Sequence, residues 1–280
     1  MHQTPETQLA YLGFQLIPAS PLLQPYISAY WVFQRASPLS TYHEEAMHPS
    51  GGFGLVFNFG SRPRYGMHTL ESPVFLDGVN TITRHLGFIG HVDMMGIRFR
   101  EGGAFPFLRI PLVELQNTID VRVALNDVSL LHLHEQLAET PSRTARIHLL
   151  ERWLLDRLTR GKAHNPLVAA SLAYMREEIA LLPQGYRLSS IPRLADNFGI
   201  SQRQLEHLYR IQVGITPGAY MRLQRVQMAR LALKQKRQSN TRLAADLGYH
   251  DQAHFIREFR SVVGITPYAY MVRKHGRESE

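Results

Sequence analysis

The hydrophobic and polar positions of this 280-residue chain follow two different periods. In the first hundred residues, short apolar runs alternate with Gly and Pro, at 30–33, 54–59, 74–76, 86–89 and 94–99. This spacing predicts a small antiparallel sheet or barrel. Later in the chain, apolar residues recur every three or four positions, which predicts amphipathic helices. The chain is therefore expected to be an α+β protein, with a sheet-forming first part and a helical second part.

Two helices are predicted directly after the last apolar run, at about 126–140 and 142–159. The second of them carries a continuous apolar stripe, formed by Ile147, Leu150, Leu154 and Leu158. This stripe has two interpretations, because an amphipathic helix buries its apolar face against its own chain or against another. It either packs on the sheet or barrel, or it forms the interface of a homodimer through residues 147–158.

The net charge divides the chain at a polar stretch around residues 160–166. Residues 1–165 contain 14 Lys and Arg against 14 Asp and Glu, whereas residues 166–280 contain 17 against 9, so the second part carries the whole net charge of +8. We therefore expect an N-terminal domain at 1–160 and a C-terminal domain at 166–280. A neutral domain joined to a basic one suggests that the second contacts a polyanion, although a well-solvated basic surface is the alternative.

The basic part contains an internal repeat. The sequence Gly-Ile-Thr-Pro occurs at 214–217 and again at 264–267, and Ala-Tyr-Met follows each copy after one residue. The repeat also includes Gly199 and Gly248, which lie before these copies and are 49 residues apart. The matching residues after these glycines are 50 residues apart, so the turn of the second unit contains one extra residue. A repeat of this length and order predicts that the same structural unit occurs twice.

Each copy is predicted to be a helix-turn-helix unit, at about 188–214 and about 239–264. The apolar residues before Gly199 have helical spacing, and a glycine there can adopt the positive φ that ends a helix. Ser201 then occupies the N-cap position of the next helix, and Asp251 is its counterpart in the second unit. In such a unit, the exposed polar face of the second helix can enter a major groove of DNA.

Polar and basic residues are predicted to face outward on these second helices. Ser201 and Asp251 are also candidates to orient backbone amides toward phosphates. Glu206 could accept a hydrogen bond from cytosine or form a salt bridge with Arg210, and the salt bridge is the favoured interpretation. The outward residues are Gln202, Arg203, Glu206, His207 and Arg210 in the first unit, and Gln252, Ala253, Ile256, Arg257 and Arg260 in the second, with His254 at the edge.

A long amphipathic helix is predicted between the units, at about 218–236, after the N-cap and first-turn signal Thr216-Pro217. This helix could space the units so that both second helices enter adjacent major-groove turns, about 34 Å apart. A helical binding module that never contacts DNA would use the same packing, and it is the alternative.

These features together resemble a known family. Residues 166–274 are similar to the tandem helix-turn-helix domain of AraC/XylS-type transcriptional regulators. The resemblance implies sequence-specific binding of double-stranded DNA, base contacts from the outward residues, phosphate contacts from Arg210 and Arg260, and contact with RNA polymerase. It rests on Leu194-Ala195, Gly199, Ser201, Leu205, Tyr209, Gly214, Pro217-x-x-Tyr220, Arg225, Ala229, Ala244, Gly248-Tyr249, Phe255, Arg257-x-Phe259 and Gly264-x-Thr266-Pro267.

The N-terminal part also resembles part of such regulators. Residues 47–59 and 96–105 are similar to an uncharacterised domain that precedes this module in many of them. The order of barrel, helices and helix-turn-helix units is similar to the arrangement of AraC-type regulators. The resemblance implies a cupin-like barrel that senses a small-molecule effector, dimerises, or does both, and it identifies no ligand.

A cupin-like barrel raises the question of a metal ion. His43, Glu44, Glu45 and His48 form the only tight cluster of His and Glu in the sequence, and His132-x-His134 lies in a predicted helix, where residues i and i+2 point apart. We therefore expect neither a metal nor a cofactor. Five aromatic residues could line a ligand pocket, but an ordinary apolar core is the favoured interpretation for most of them. They are Trp31, Phe33, Phe57, Phe59 and Phe99.

Composition argues against an enzyme. The chain has no cysteine, which excludes a disulfide scaffold, a thiolate metal site and the DNA-repair methyltransferases that carry this module and need a cysteine acceptor. It has no nucleophile-elbow, phosphate-loop or metal-helix motif, so a barrel enzyme fused to a DNA-targeting domain is only the alternative. The longest uncharged stretch, 7–34, is interrupted by prolines and follows no basic segment. We therefore expect neither a membrane helix nor a signal peptide, and a cytoplasmic location.

Overall fold

The computed structural model describes residues 9–116, 128–161, 164–235 and 239–276. The first range forms mostly strands, and the chain from residue 128 onward forms helices. The predicted α+β organisation, with a sheet-rich N-terminal region and a helical C-terminal region, is therefore confirmed. The predicted domain boundary falls between two helices and includes residues 162–163, which lie outside the described residues, as do residues 126–127 of the first predicted helix.

Two antiparallel sheets make up the N-terminal region. The first sheet has the strand order β1-β2-β9-β4-β7, and the second has the order β3-β8-β5-β6. The strands are Phe14–Ile17 (β1), Ile27–Gln34 (β2), Leu39–Met47 (β3), Phe53–Asn58 (β4), Arg64–Tyr65 (β5), His68–Thr69 (β6), Val74–Asp77 (β7), Arg84–Gly90 (β8) and Asp93–Phe99 (β9).

The described strands do not close into a barrel. No strand of the first sheet pairs with a strand of the second within the residues that the structure covers. Each sheet ends on one side in a short strand, β6 with two residues and β7 with four, and these strands offer few backbone groups to continue the ladder. The closed, cupin-like barrel that the sequence allowed is thus replaced by a pair of open sheets.

The first sheet is covered on both faces. Side chains alternate along β4, so that Leu55 and Phe57 face the main core and Val56 faces the space between the sheets. The main core includes α2 (Val128–Glu139) and α3 (Arg143–Arg160), which pack on the outer face of this sheet. A short helix, α1 (Phe105–Leu108), also contacts α3.

The apolar stripe of α3 lies inside the chain. Leu150 and Leu154 have no exposed surface and Ile147 has 7%, because all three pack in the core beneath the first sheet. Arg146 on the same helix forms a salt bridge of 3.2 Å with Asp93 of β9. Leu158 is half-buried and packs against the same core. The alternative in which the 147–158 stripe forms a homodimer interface is therefore wrong for Ile147, Leu150 and Leu154, which are buried within the chain.

The described C-terminal region contains seven α-helices, and those from α5 onward correspond to the repeat. The helix predicted at 218–236 is observed at Pro217–Lys234, and residue 236 lies outside the described residues. We call α5 with α6 unit 1, and α8 with α9 unit 2. The segments are α4 (Pro166–Leu181), α5 (Ile191–Asn197), α6 (Gln202–Gln212), α7 (Pro217–Lys234), α8 (Asn240–Asp246), α9 (Gln252–Val263) and α10 (Pro267–Gly276).

The predicted helix starts are confirmed. The side chains of Ser201 and Thr216 accept hydrogen bonds from backbone N–H groups three residues later, both at 3.2 Å. Asp251 accepts one from the N–H of His254 at 2.6 Å. Gly199 and Gly248 have φ of 66° and 70°, as expected for residues that end a helix in the left-handed region. These features are local, so the sequence specifies them without reference to the rest of the fold.

The helical region packs directly on the sheet-rich region. The amide of Gln224 on α7 donates to the carbonyl of Ser50 at 2.8 Å, and the backbone N–H of Thr83 donates to the carbonyl of Val262 on α9 at 2.7 Å. Gly51 has φ of 82°, and a Cβ there would lie 3.2 Å from the ring of Tyr220. The loops after β3 and β7 therefore form much of the contact. No helix within the described ranges is long and apolar enough to cross a membrane.

Candidate nucleic-acid interface

The second helix of unit 1 is anchored on one face and exposed on the other. Leu205 and Tyr209 have no exposed surface, and the Tyr209 hydroxyl lies 3.0 Å from the hydroxyl of Ser171 on α4. Burial raises the pKa of Tyr209, so the phenol stays neutral and can share a proton with Ser171. Because of this anchoring, the predicted residues lie on the outer face of the helix. The exposed ones are Ser201, Gln202, Arg203, His207 and Arg210, and Glu206 is half-buried.

Ser201 forms a capping box with Gln204. Its hydroxyl accepts from the Gln204 N–H, while the Gln204 side chain accepts from the Ser201 N–H at 2.9 Å. This arrangement satisfies two N–H groups at the start of α6. The N–H groups of Gln202 and Arg203 have no partner within the helix, so they are available to an anion.

Glu206 has a different partner from the predicted one. Its carboxylate accepts a hydrogen bond from the side-chain amide of Gln202 at 2.7 Å. A Glu206–Arg210 salt bridge is not formed among the described residues, so that interpretation is wrong. The Gln202–Glu206 bond holds the Gln202 amide in one orientation on the exposed face, and it leaves Arg210 to point into solvent.

The second helix of unit 2 is anchored in the same way. Phe255 and Phe259 have no exposed surface and pack edge to face, with ring centroids 5.8 Å apart. Half-buried positions flank them at His254 and Ile256. The exposed face carries the remaining predicted residues, which are Asp251, Gln252, Ala253, Arg257 and Arg260.

Polar contacts at the start of this helix restrict two predicted residues. The Gln252 side-chain oxygen accepts from the Thr241 hydroxyl at 2.9 Å, which ties α9 to α8. Asp251 accepts from the His254 N–H and lies 3.1 Å from the ring of His250, and these bonds lower the pKa of its carboxyl. Asp251 is therefore ionised at neutral pH and serves as a helix cap, and its negative charge opposes direct contact with a phosphate.

A buried ion pair in unit 2 was not expected from the sequence. Glu258 on α9 accepts two hydrogen bonds from Arg225 on α7, at 3.0 and 3.2 Å, and one from the Tyr249 hydroxyl at 2.8 Å. The Arg225 guanidinium also lies 4.5 Å from the centre of the Tyr249 ring. This cluster joins the long helix between the units to the second helix of unit 2. The sequence around Arg225 and Glu258 does not distinguish either residue from an ordinary exposed one.

His254 belongs to the edge of this cluster. Its ring packs edge to face on Tyr249 at 5.3 Å, and its Nε2 lies 3.8 Å from a Glu258 oxygen. The ring is therefore held against Tyr249 at the edge of the exposed face, and its side chain remains 42% exposed.

The exposed arginines give this surface its charge. Arg203 and Arg210 lie on the face of α6, and Arg257 and Arg260 lie on the face of α9. None of the four forms a salt bridge with another described residue. Four uncompensated guanidinium groups on two exposed helix faces suit contact with phosphates and guanine.

The His and Glu residues weighed as metal ligands have other partners. His43 lies 3.1 Å from the hydroxyl of Thr41, His48 lies 2.8 Å from that of Thr83, and Glu45 accepts from Tyr11. His134 contacts the carbonyl of Asn58 at 2.7 Å. The described residues contain no group of three or more His, Asp or Glu placed to hold a metal ion.

Comparison with known proteins matches both parts of the chain. Residues 194–273 match a family described as a helix-turn-helix domain, and this range begins within α5 and includes α6 and all of unit 2. The arabinose operon regulatory protein of Escherichia coli is 29% identical over 126 residues, which are 43% of this chain and 41% of that protein. The C-terminal region is an AraC-type helix-turn-helix domain. The resemblance seen in the sequence is thereby confirmed for this AraC-type domain.

Two further proteins are similar to parts of this chain. An uncharacterised HTH-type transcriptional regulator of Haemophilus influenzae is 30% identical over 92 residues, which are 33% of this chain and 31% of that protein. A solved transcriptional regulator of Chromobacterium violaceum, described as containing an AraC-type DNA-binding domain, is 26% identical with a TM-score of 0.35, over 39% of this chain and 92% of that one. The chain spans less than half the length of the two curated relatives.

The sheet-rich region has its own match. Residues 15–119 match a family described as "Domain of unknown function (DUF6597)". The two segments that resembled an uncharacterised N-terminal domain, 47–59 and 96–105, lie inside this range, so that resemblance is confirmed.

Proposed function

We propose that this chain is a sequence-specific DNA-binding transcription regulator. α6 and α9 act as recognition helices that lie in adjacent segments of the major groove. One observation carries the proposal: both helices are held by fully buried aromatic residues on one face and present unpaired arginines on the other. The match of residues 194–273 to a helix-turn-helix domain supports it.

The proposed contacts divide into two kinds. Base contacts are assigned to Arg203 in the first turn of α6 and to Arg257 in the middle of α9, because arginine suits guanine. Phosphate contacts are assigned to Arg210 and Arg260 near the ends of the helices, and these hold the protein in register on the duplex. The other proposed base-facing residues are Gln202, Glu206, His207, Gln252, Ala253 and Ile256.

The sheet-rich region is proposed to regulate the helical one. We infer that it senses a small-molecule effector and that the chain acts by binding rather than by catalysis. Contact with RNA polymerase is part of this proposal, as are a cytoplasmic location and the division into domains at 1–160 and 166–280. Because Ile147, Leu150 and Leu154 of the stripe are buried, a homodimer would need a surface other than these residues.

Selection of bound sequences from a random DNA library tests the proposal. The full chain at about physiological salt is expected to enrich a motif with two blocks about one helical turn apart. The matched control is the Arg203→Ala/Arg257→Ala double variant, which should lose the enriched motif. A second control, Arg152→Ala, removes an exposed arginine of α3 that lies away from this face, and it should enrich the same motif as the wild type. Absence of any enriched motif would refute the proposal.

A further inference from the structure

A cavity of about 480 Å³ lies where the two sheets meet the helical region. Its inner wall is apolar and is formed by side chains that lie between the sheets, including Trp31, Phe33, Val56, Phe75 and Phe88. Small-molecule sites in proteins have this size and this largely apolar lining, with a few polar groups that orient the ligand. Trp31 and Phe33, weighed above as pocket residues, line this cavity, whereas Phe57 and Phe99 are fully buried in the main core.

The helices contribute only positive charge to the described lining. Their charged residues there are Arg230 and Lys234 of α7 and Arg273 and Lys274 of α10. The Nε atom of Arg230 is buried and has no hydrogen-bond partner among the described residues. Burial lowers the pKa of Lys234, and the positive charge of Arg230 lowers it further. Cations that crowd together at a partly buried site favour an anion beside them.

The acidic residues of the lining have other partners. Asp77 accepts a hydrogen bond from Asn80 at 2.5 Å, and burial raises the pKa of its carboxyl to about 6. Glu45 accepts from Tyr11 at 2.8 Å, and Glu44 accepts from Tyr42 at 3.2 Å. None of these three carboxylates forms a salt bridge with a described basic residue. These three carboxylates therefore form no salt bridge that would neutralise Arg230 or Lys234.

His48 connects the cavity to the second recognition helix. Burial lowers the pKa of His48 to about 3, and the charges of Arg230, Lys274, Lys234 and His85 contribute, so its ring is neutral at neutral pH. Its Nδ1 lies 2.8 Å from the Thr83 hydroxyl, which donates to the carbonyl of Val262 at 3.1 Å. Val262 lies in the last turn of α9. Two hydrogen bonds therefore connect His48 in the cavity wall to the end of α9.

We infer that this cavity is a ligand site for a small anion with an apolar body. The anionic group lies against Arg230 and Lys234, and the apolar body packs on the aromatic wall between the sheets. Such a ligand contacts both regions of the chain at once, so its binding is linked to how the regions are held together. The inference rests on the proposed function only for the effect of this ligand on DNA, because binding of the ligand is measured without DNA.

The probe pair 8-anilinonaphthalene-1-sulfonate and N-phenyl-1-naphthylamine tests the inference. The two dyes share the same aromatic body, but only the first carries a negative charge. The full chain is expected to bind one sulfonate per chain saturably, with increased dye fluorescence, and to bind the neutral dye about tenfold more weakly or worse. Equal affinity for both dyes, or no saturable binding of the sulfonate, overturns the inference.

Variants then locate the site. Arg230→Gln and Lys234→Gln are each expected to weaken sulfonate binding about tenfold, whereas Arg230→Lys, which keeps the charge, retains most of it. Arg152→Gln, on the exposed side of α3, is the charge-matched control and should bind as the wild type does. Circular dichroism checks that each variant is folded. If Arg230→Gln does not fold, Lys234→Gln tests the site instead.

The two proposals fail separately. If both neutralising variants bind the sulfonate as the wild type does, the anion site is wrong, whatever the DNA selection shows. If the dye results are as expected but no DNA motif is enriched, the ligand site stands and the regulator proposal fails.

Discussion

Replacement of Glu258 tests how the second recognition helix is held. Glu258→Ala removes two hydrogen bonds from Arg225 and one from Tyr249, and it leaves the Arg225 guanidinium without its carboxylate. The side chains of Arg225 and Glu258 are 16% and 12% exposed, so water reaches the vacated site only in part. Breaking a fully buried pair costs about 3–5 kcal/mol. With this partial exposure we expect the free energy of unfolding to fall by about 2–4 kcal/mol.

Urea denaturation followed by circular dichroism measures this change. Glu177→Ala is the matched control, since Glu177 is an exposed glutamate of α4, and its effect should be within about 0.5 kcal/mol. A free energy of unfolding for Glu258→Ala that equals that of the control would refute the reasoning. It would mean that water or Tyr249 replaces the carboxylate at no cost.

A double variant separates the loss of the pair from the loss of packing. Arg225→Met/Glu258→Leu removes both charges and keeps apolar volume at both positions. It should therefore be less destabilised than Glu258→Ala alone, because no buried charge is left unpaired. If the double variant is instead destabilised by the sum of its single variants, the two residues do not act as a pair.

Three further outcomes are expected. Arg257→Ala should weaken binding to the selected motif by about 1–3 kcal/mol and hardly affect binding to random DNA, as measured by fluorescence anisotropy. Arg260→Ala should weaken binding to both DNAs equally. Equal losses on both DNAs for Arg257→Ala would contradict its base-reading role. Leu150→Ala should lower the free energy of unfolding by about 2–5 kcal/mol and leave the sedimentation mass unchanged, because the side chain is buried within one chain. A change of oligomeric state without a loss of stability would count against this prediction. The folded-state pKa of His48, about 3, lies below the ordinary value of 6.5, so its contribution to stability is complete above about pH 6.5 and is lost as the pH falls toward 3. The slope should not exceed about 1.4 kcal/mol per pH unit and should disappear in His48→Asn, and a variant that keeps the wild-type slope would assign it to another group.

Features set by neighbouring residues could be predicted from the sequence. The caps at Ser201, Thr216 and Asp251 depend on a side chain and an N–H three residues away, so a short segment is enough to recognise them. The exposed faces of the recognition helices follow from helical period in the same way. Because the sequence of one unit repeats that of the other, the pattern predicts the exposed faces of both recognition helices together.

Features set by contact between distant segments could not be predicted. Arg225 and Glu258 meet because α7 and α9 cross, and neither residue differs in sequence from an ordinary exposed one. Short strands such as β5 and β6 give too little pattern to decide whether sheets close. The Glu206 prediction failed for another reason: Gln202 and Arg210 are both one helical turn from Glu206, so spacing alone does not choose between them.

The two units contact different parts of the sheet-rich region, and this difference has a consequence for regulation. In unit 1, Tyr209 on α6 bonds to Ser171 on α4, and α6 also packs on residues 112–115 of the sheet-rich region, which are not among the residues that line the cavity. In unit 2, the carbonyl of Val262 at the end of α9 accepts two hydrogen bonds from Thr83, which belongs to the sheet-rich region and lies next to the cavity. A ligand in the cavity therefore contacts the support of the second recognition helix directly, but it does not contact residues 112–115, which support the first. On the proposed function, the effector acts first on the half of the operator that α9 reads.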